Sequence, residues 1–395
     1  MLRNPDFQRL AAGSSLHAAG FQGEQVVASL LLYQLTGSTF WVGVGLALSF
    51  LPMLLVGVPA GASADHFDRR KLLPLIELAV AVTMGGVALF FWAFSASVPV
   101  LLAVMFAVGC LRAMHHPVRL SYAHDVLGAD QLVSALGALS MFGRFGQLLG
   151  AVGAGTIAEH FGAGPAYAGL TAAHALALFV FLNLRTNPRR EAANGRQTMR
   201  ENLREYAREL RTNPVLVRLT LTASLVEIFG FSFVTALPEL VSQQLGGDGQ
   251  SLGILHGARS VGGFVAGFVL MRATGLRWRG YAYLASLIGF GVALIALSVC
   301  TTLWLAMLAT AFVAFSAASS DVLVQSMMQL CVSEHLRGRA MGAWVLALGA
   351  GPVGHVELGA VVGAVGASAG LLLNGLVLVT AGALVAALVP RVRNF

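Results

Sequence analysis

The sequence predicts an all-α integral membrane protein, with twelve transmembrane helices arranged as two six-helix pseudo-repeats. Three observations carry this. Of 395 residues, 57% are hydrophobic and only 11% are charged, less than half the ordinary charged share and too little to cover a water-facing surface of normal size. The chain divides into twelve apolar stretches, each near the roughly 20 residues a spanning helix needs. Lys and Arg occupy only every second connection between those stretches. The 46 glycines spread along the chain suit helices that approach one another closely in lipid.

The spans run over 10–35, 40–62, 73–95, 99–123, 132–158 and 164–185, and then over 215–242, 250–272, 281–299, 302–330, 339–362 and 367–389. The connections "TGSTF", "SASVP", "EHFGAGPA", "QQLGGDGQS", "CTT" and "AVGASA" contain no Lys or Arg. The opposite side carries Arg3, Arg9, Arg69, Arg70, Lys71, the Arg185–Arg218 segment, Arg272, Arg277, Arg279, Arg337, Arg339, Arg391 and Arg393. The positive-inside rule therefore places both termini and the central segment in the cytoplasm. Trp41, Trp92, Trp278 and Trp304 fall near span ends, where indole rings favour the interface. No cleavable leader is expected: "MLRNPDFQRL" runs straight into an apolar stretch too long for one. Cys110, Cys300 and Cys331 show neither disulfide nor metal spacing. The net charge of +7 is accounted for by topology, and nucleic acid is not an expected partner.

The domain reading follows: a bundle over 1–185, a cytoplasmic linker over 186–213, and a second bundle over 214–395. In the linker, Leu203, Tyr206, Ala207 and Leu210 recur at three- and four-residue steps among Arg and Glu, an amphipathic helix for the inner membrane face or a plain solvated spacer. The halves echo each other. "NPDFQRL" at Asn4 and "NPVLVRL" at Asn213 share Asn-Pro-x3-Arg-Leu, Ser15-Leu16 pairs with Ser224-Leu225, and one position further on Gly43 pairs with Gly253 and Arg69 with Arg279. Duplicated halves around a central site are a hallmark of secondary transporters.

Between the second and third spans, "GASADHFDRRK" crowds Asp65, Asp68, Arg69, Arg70 and Lys71 into eleven positions. Topology explains the bases but not Gly61 and Asp65. The spacing Gly61-x3-Asp65-x3-Arg69-Arg70-Lys71 resembles motif A of the major facilitator superfamily. The resemblance implies the major facilitator fold and a latch in which Asp65 pairs with Arg69 and faces a helix N-terminus. "RATGLRWRG" in the second half keeps Arg279 without the acid. "YQLTGS" at 33–38 and "GCLRAMHHPVRLSYAHDVLGADQLVSALGALS" at 109–140 are similar to the drug:proton antiporter branch that includes macrolide- and enterobactin-type exporters. Arg112 matches that branch's motif B arginine, associated with proton coupling, although His115 and His116 stand where Gln and Gly are usual. Gly137-x8-Gly146-x3-Gly150 resembles the antiporter motif C, with Ala151 at its usual proline and Ala154-Gly155 at its closing glycine pair.

Ionisable side chains at bilayer depth cost about 2.5–3.5 kcal/mol each on insertion scales. Here they are Glu24, Glu77, Arg112, Arg144, Glu227, Arg259, Asp321 and Glu357; Arg119 and Asp125 lie nearer the cytoplasmic end and can snorkel. Ser14, His17 and Glu24 fall on one helical stripe, and Glu227 follows Ser224 by three. A carboxylate in low dielectric can exist neutral and change state with its side of access. Glu24 and Glu227 are the preferred proton carriers, with Arg112 and Asp321 in the coupling set, or these charges form structural pairs within the bundle. His17, His115, His116, Arg144 and Arg259 are candidates for the substrate cavity. No metal site is expected: consecutive residues such as His115 and His116 point about 100° apart on a helix, a poor arrangement for one ion. No Walker lysine motif, nucleophile elbow or HExxH pattern occurs, so no enzymatic chemistry and no cofactor are expected. The expected function is proton-coupled efflux of a small amphipathic compound, a drug or siderophore-like metabolite, by a monomer in the cytoplasmic (inner) membrane of a bacterium. An importer or lysophospholipid flippase of the same superfamily, and a non-transporting sensor or scaffold, are the alternatives.

Overall fold

The computed structural model describes residues 3–55, 68–187, 213–272, 278–332 and 344–393, and these contain helices and no strand. Local chemistry sets where the helices begin. Asn4 caps α1 (Pro5–Thr36): its side chain accepts from the backbone N–H groups of Asp6 and Phe7, and Pro5 fills the first turn. Asn213 repeats the device at α7 (Pro214–Phe229), accepting from Leu216 N–H with Pro214 behind it. Asp68 caps α3 (Arg69–Ala93) by accepting from Arg70 N–H.

The remaining elements are α2 (Thr39–Leu55), α4 (Val98–Leu127), α5 (Ala129–Phe161), α6 (Ala163–Leu182), α8 (Gly249–Arg272), α9 (Arg279–Ser298), α10 (Leu303–Leu330), α11 (Gly351–Val365), α12 (Ala367–Leu388) and the short α13 (Pro390–Arg393). Gly162 alone separates α5 from α6, and Gly366 alone separates α11 from α12, at φ of 86° and 85°. Such abrupt reversals need the left-handed conformation that glycine adopts without penalty.

Ten helices among the described residues are long and apolar enough to cross a membrane. The surface confirms the solvent they expect. Leu75, Val82 and Leu89 on α3, Leu308 on α10 and Leu388 on α12 are each at least 60% exposed, while Ser14, Gln22, Glu24, Gln25 and Glu77 are buried. A water-soluble protein reverses this distribution. Trp41, Trp92, Trp278 and Trp304 are all exposed, as interface residues should be.

Within the first half α1 packs on α5 and α6, α3 on α6, and α2 on α4; within the second, α8 packs on α10, and α9 on α10 and α12. The halves meet where α5 crosses α8 and α2 crosses α11. Gly150 lets α5 lie against α1 so closely that a Cβ there would overlap the Ala19 carbonyl oxygen.

One predicted span differs in kind. The stretch 215–242 was expected as a continuous helix, but α7 stops at Phe229. A 3-10 turn (Phe231–Thr235), a helical turn (Leu237–Glu239) and a π turn (Leu240–Gln244) follow. Gly230 ends the regular ladder, and Pro238, lacking an N–H, cannot bond back to Val234. Discontinuous helices of this sort satisfy their backbone only where protein or a cavity surrounds them.

Candidate functional site

Six ionisable side chains of the spans form a row in which each lies in electrostatic range of the next. Glu24 on α1 is wholly buried, and neither of its carboxylate oxygens accepts a hydrogen bond among the described residues. The cation acting on it is Arg112 of α4. The Arg112 guanidinium lies over the rings of Phe21 and Phe50, 4.0 and 5.0 Å from their centroids, a favourable place for a planar cation. Arg112 is in electrostatic range of Arg259 on α8, and Arg259 of Arg144 on α5. Arg144 in turn faces Asp321 of α10, which faces Glu227 of α7.

Neutral polar groups tie the row together. Arg259 donates to Gln22 Oε1 at 3.0 Å, and Gln22 Nε2 donates to His256 Nδ1 at 3.2 Å. These bonds join α1 of one half to α8 of the other. Trp344 Nε1–H donates to Asp321 Oδ1 at 2.7 Å, and Glu227, Asp321, Tyr283 and Trp344 line a narrow cleft. Beside Phe50, His355 stacks at 5.3 Å and shares a 2.8 Å hydrogen bond with Thr235 in the broken part of α7. Three arginines crowded with little acid between them can receive an anionic group.

The ends lacking Lys and Arg are sealed between halves. Glu239, at the end of the α7 segment, accepts from the Thr39 hydroxyl of α2 and from Ala367 N–H at the start of α12, the latter at 3.0 Å. Glu159 at the end of α5 accepts from Gly249 N–H at the start of α8, at 2.8 Å. A Cβ on Gly155 would lie 2.5 Å from the Gly249 carbonyl oxygen, so backbones touch here directly. Asp248 caps α8, accepting from the Ser251 N–H and hydroxyl. Burial opposes its charge, and those bonds outweigh burial and hold its carboxyl below the ordinary value.

This arrangement has relatives. Residues 1–394 match the family described as transmembrane secretion effector, of the major facilitator type. The chain belongs to that family. Its relatives are membrane transporters and not enzymes. A staphyloferrin A transporter of Staphylococcus aureus (strain NCTC 8325 / PS 47) is 24% identical over 252 residues, 62% of each chain; the match thus spans less than two thirds of that relative. Among solved structures, a D-xylose-proton symporter aligns with a TM-score of 0.76 at 14% identity, over 98% of this chain and 99% of that one. A bacterial homologue of the human lysosomal transporter Spinster, inward-facing and unoccupied, aligns at 0.73 and 16% identity over 99% of both chains. The nucleoside transporter NupG aligns at 0.75 and 13% identity, over 97% and 98%.

The remaining expected residues lie apart from the row. Gly61 and Asp65 fall outside the described residues, as does most of the 186–213 linker. Arg69 Nη1 contacts both carboxylate oxygens of Asp125 at 2.9 Å, so Asp125 ties α4 to the start of α3 rather than snorkelling. Arg70 reaches the cap Asp68, at 3.7 Å. His17 and His115 meet Glu77 and His174 inside the first half, while His116 is exposed on α4 within electrostatic range of Arg112, Arg119 and His17. Gln22, Thr235, Trp344, Glu159 and Glu239 escaped the site reading of the sequence. Each is one polar residue in an apolar or loop context, where only convergence in space marks it.

Proposed function

We propose that this protein is a proton-coupled exporter of small amphipathic compounds carrying an anionic group, drug- or siderophore-like in kind. Twelve spans form two rocking halves, 1–185 and 214–395, joined by the 186–213 linker. The reading is supported by contacts that repeat when helix numbers advance by six: α2·α4 and α8·α10, α3·α6 and α9·α12, α5·α8 and α11·α2. It is carried above all by the linked charges, three from each half: Glu24, Arg112 and Arg144 against Glu227, Arg259 and Asp321. Glu24, Glu227, Asp321 and Arg112 handle the proton; Arg144 and Arg259 receive the substrate anion. At the basic ends Asp65 and Arg69 latch the opposite conformation. The seal at the basic-free ends belongs to a state open toward the cytoplasm, and the protein works as a monomer in the bacterial inner membrane with both termini inside. Export is favoured by the family's description as a secretion effector and by relatedness to a siderophore transporter.

The test is transport in proteoliposomes under an imposed pH gradient, with a carboxylate siderophore, a cationic drug and a lysophospholipid as probes. Gradient-driven movement of the carboxylate probe, lowered at least tenfold in apparent affinity by Arg259→Ala, is the expected result; one charge-assisted hydrogen bond accounts for that factor. Movement of the lipid alone points to the flippase, and substrate moving down the proton gradient with its proton points to the importer. No movement of any probe contradicts the proposal.

A further inference from the structure

Glu77 is fully buried, yet its ion-pair partners among the described residues are three histidines and no Lys or Arg. They come from three other helices. His17 of α1 has Nδ1 2.6 Å from Glu77 Oε1, His115 of α4 has Nε2 3.5 Å from the same oxygen, and His174 of α6 has Nδ1 2.8 Å from Oε2. All three rings are buried, and His115 Nε2 has no hydrogen-bond partner among the described residues. The His17 and His115 rings stack 3.7 Å apart, within 10° of parallel, so their nitrogen-bearing edges face Oε1 together.

We propose that His17, Glu77 and His115 form a binding site for a divalent transition metal ion of the Zn²⁺ and Co²⁺ class. One ligand atom from each lies within 4.8 Å of the others. An ion bound at the usual distances of about 2.0–2.2 Å sets tetrahedral ligands about 3.3–3.5 Å apart. The His115–Glu77 separation already has that value, the His17–Glu77 pair needs to open by less than about 1 Å, and the two stacked rings tilt toward each other, since an imidazole binds a metal along its in-plane lone pair. Imidazole nitrogen and carboxylate oxygen are the donors such ions take. His174 completes the site from behind: a carboxylate only accepts, so His174 donates Nδ1–H to Oε2 and fixes the ligand's orientation, as residues around bound metals commonly do. The unpartnered His115 nitrogen is costly in a buried place, and a bound ion satisfies it. The divergence of His115 and His116 argued against a metal along one helix; across helices the partner is His17. All the residues belong to α1, α3, α4 and α6, so the ion clamps the first half without touching the contacts between halves.

Untagged full-length protein, stripped of metal with a chelator in detergent, tests this by titration with Co²⁺. Expected are visible ligand-field bands saturating at one equivalent and abolished by Zn²⁺, with a rise in melting temperature. His115→Gln and Glu77→Gln remove both signals, His174→Asn weakens binding about 10- to 100-fold, and the exposed His160→Ala changes neither. Gel-filtration profiles establish that each variant is folded, and His115→Gln, nearly isosteric, serves where Glu77→Gln does not fold. Absence of bands in the wild type at millimolar Co²⁺, or full binding retained by folded His115→Gln, overturns the site.

Discussion

Among the described residues, Glu24 on α1 has no donor to either carboxylate oxygen and faces the Arg112 charge. In the proposed cycle it takes a proton from one side and releases it to the other. Glu24→Gln keeps the shape and removes the exchange. Gradient-driven accumulation should fall at least tenfold while substrate binding, read by thermal shift, stays within about twofold; unaltered coupling removes Glu24 from the cycle. Asp6 acts at the end that carries the Lys and Arg residues, in the first turn of α1 and ahead of the 10–35 span. It accepts from Arg9, from the Arg185 and Thr186 N–H groups, and from the Thr186 hydroxyl, at 2.5–3.1 Å. Burial opposes its charge, but these bonds prevail and hold its carboxyl below the ordinary 3.8. A depressed carboxyl contributes stability above the unfolded value, and that stability fades as pH falls through the folded one. Asp6→Asn should therefore lower the melting temperature at pH 7, with the gap to wild type closing below about pH 4. An equal gap at both pH values contradicts the anchor.

At the scale of elements, the crossing of α5 and α8 is the joint most open to test. Gly155→Val drives side-chain atoms into the Gly249 carbonyl, and overpacking costs about 1–3 kcal/mol. If that end opens during transport, the cost falls on the closed state alone. A cysteine at Thr39, buried in the seal at that end, should then react with an impermeant thiol reagent about tenfold faster; an unchanged rate places the joint outside the moving parts. Asn4-Pro5 and Asn213-Pro214 were legible as a repeat, but that each pair caps a helix, the first from Pro5 and ahead of the expected span, came from the structure. The break in α7 was hidden, because Gly230 and Pro238 lie in a run as apolar as any spanning helix, and hydropathy is blind to which carbonyl lacks a donor. The Arg69–Asp125 contact was equally hidden, its partners lying 56 positions apart.

The membrane class was legible for the whole molecule because length, apolarity and the placement of Arg are local properties. Glu24, Arg112, Arg144, Arg259, Asp321 and Glu227 each stood out as an expensive charge in lipid. Their alignment into one row did not, since it depends on which faces of α1, α4, α5, α7, α8 and α10 turn inward. Histidines 17, 115 and 174 gave no hint of converging on Glu77, for their spacing follows the bundle and not any one helix. The rocking of two halves about the row is tested most directly by electron-electron spin distances in proteoliposomes, with labels at Leu35 and Ser242 on the basic-free ends and at Lys71 and Trp278 on the basic ends. Adding substrate and shifting pH should lengthen the first distance while shortening the second, in opposed two-state populations. One fixed distance at each end, under every substrate and pH, would contradict alternating access.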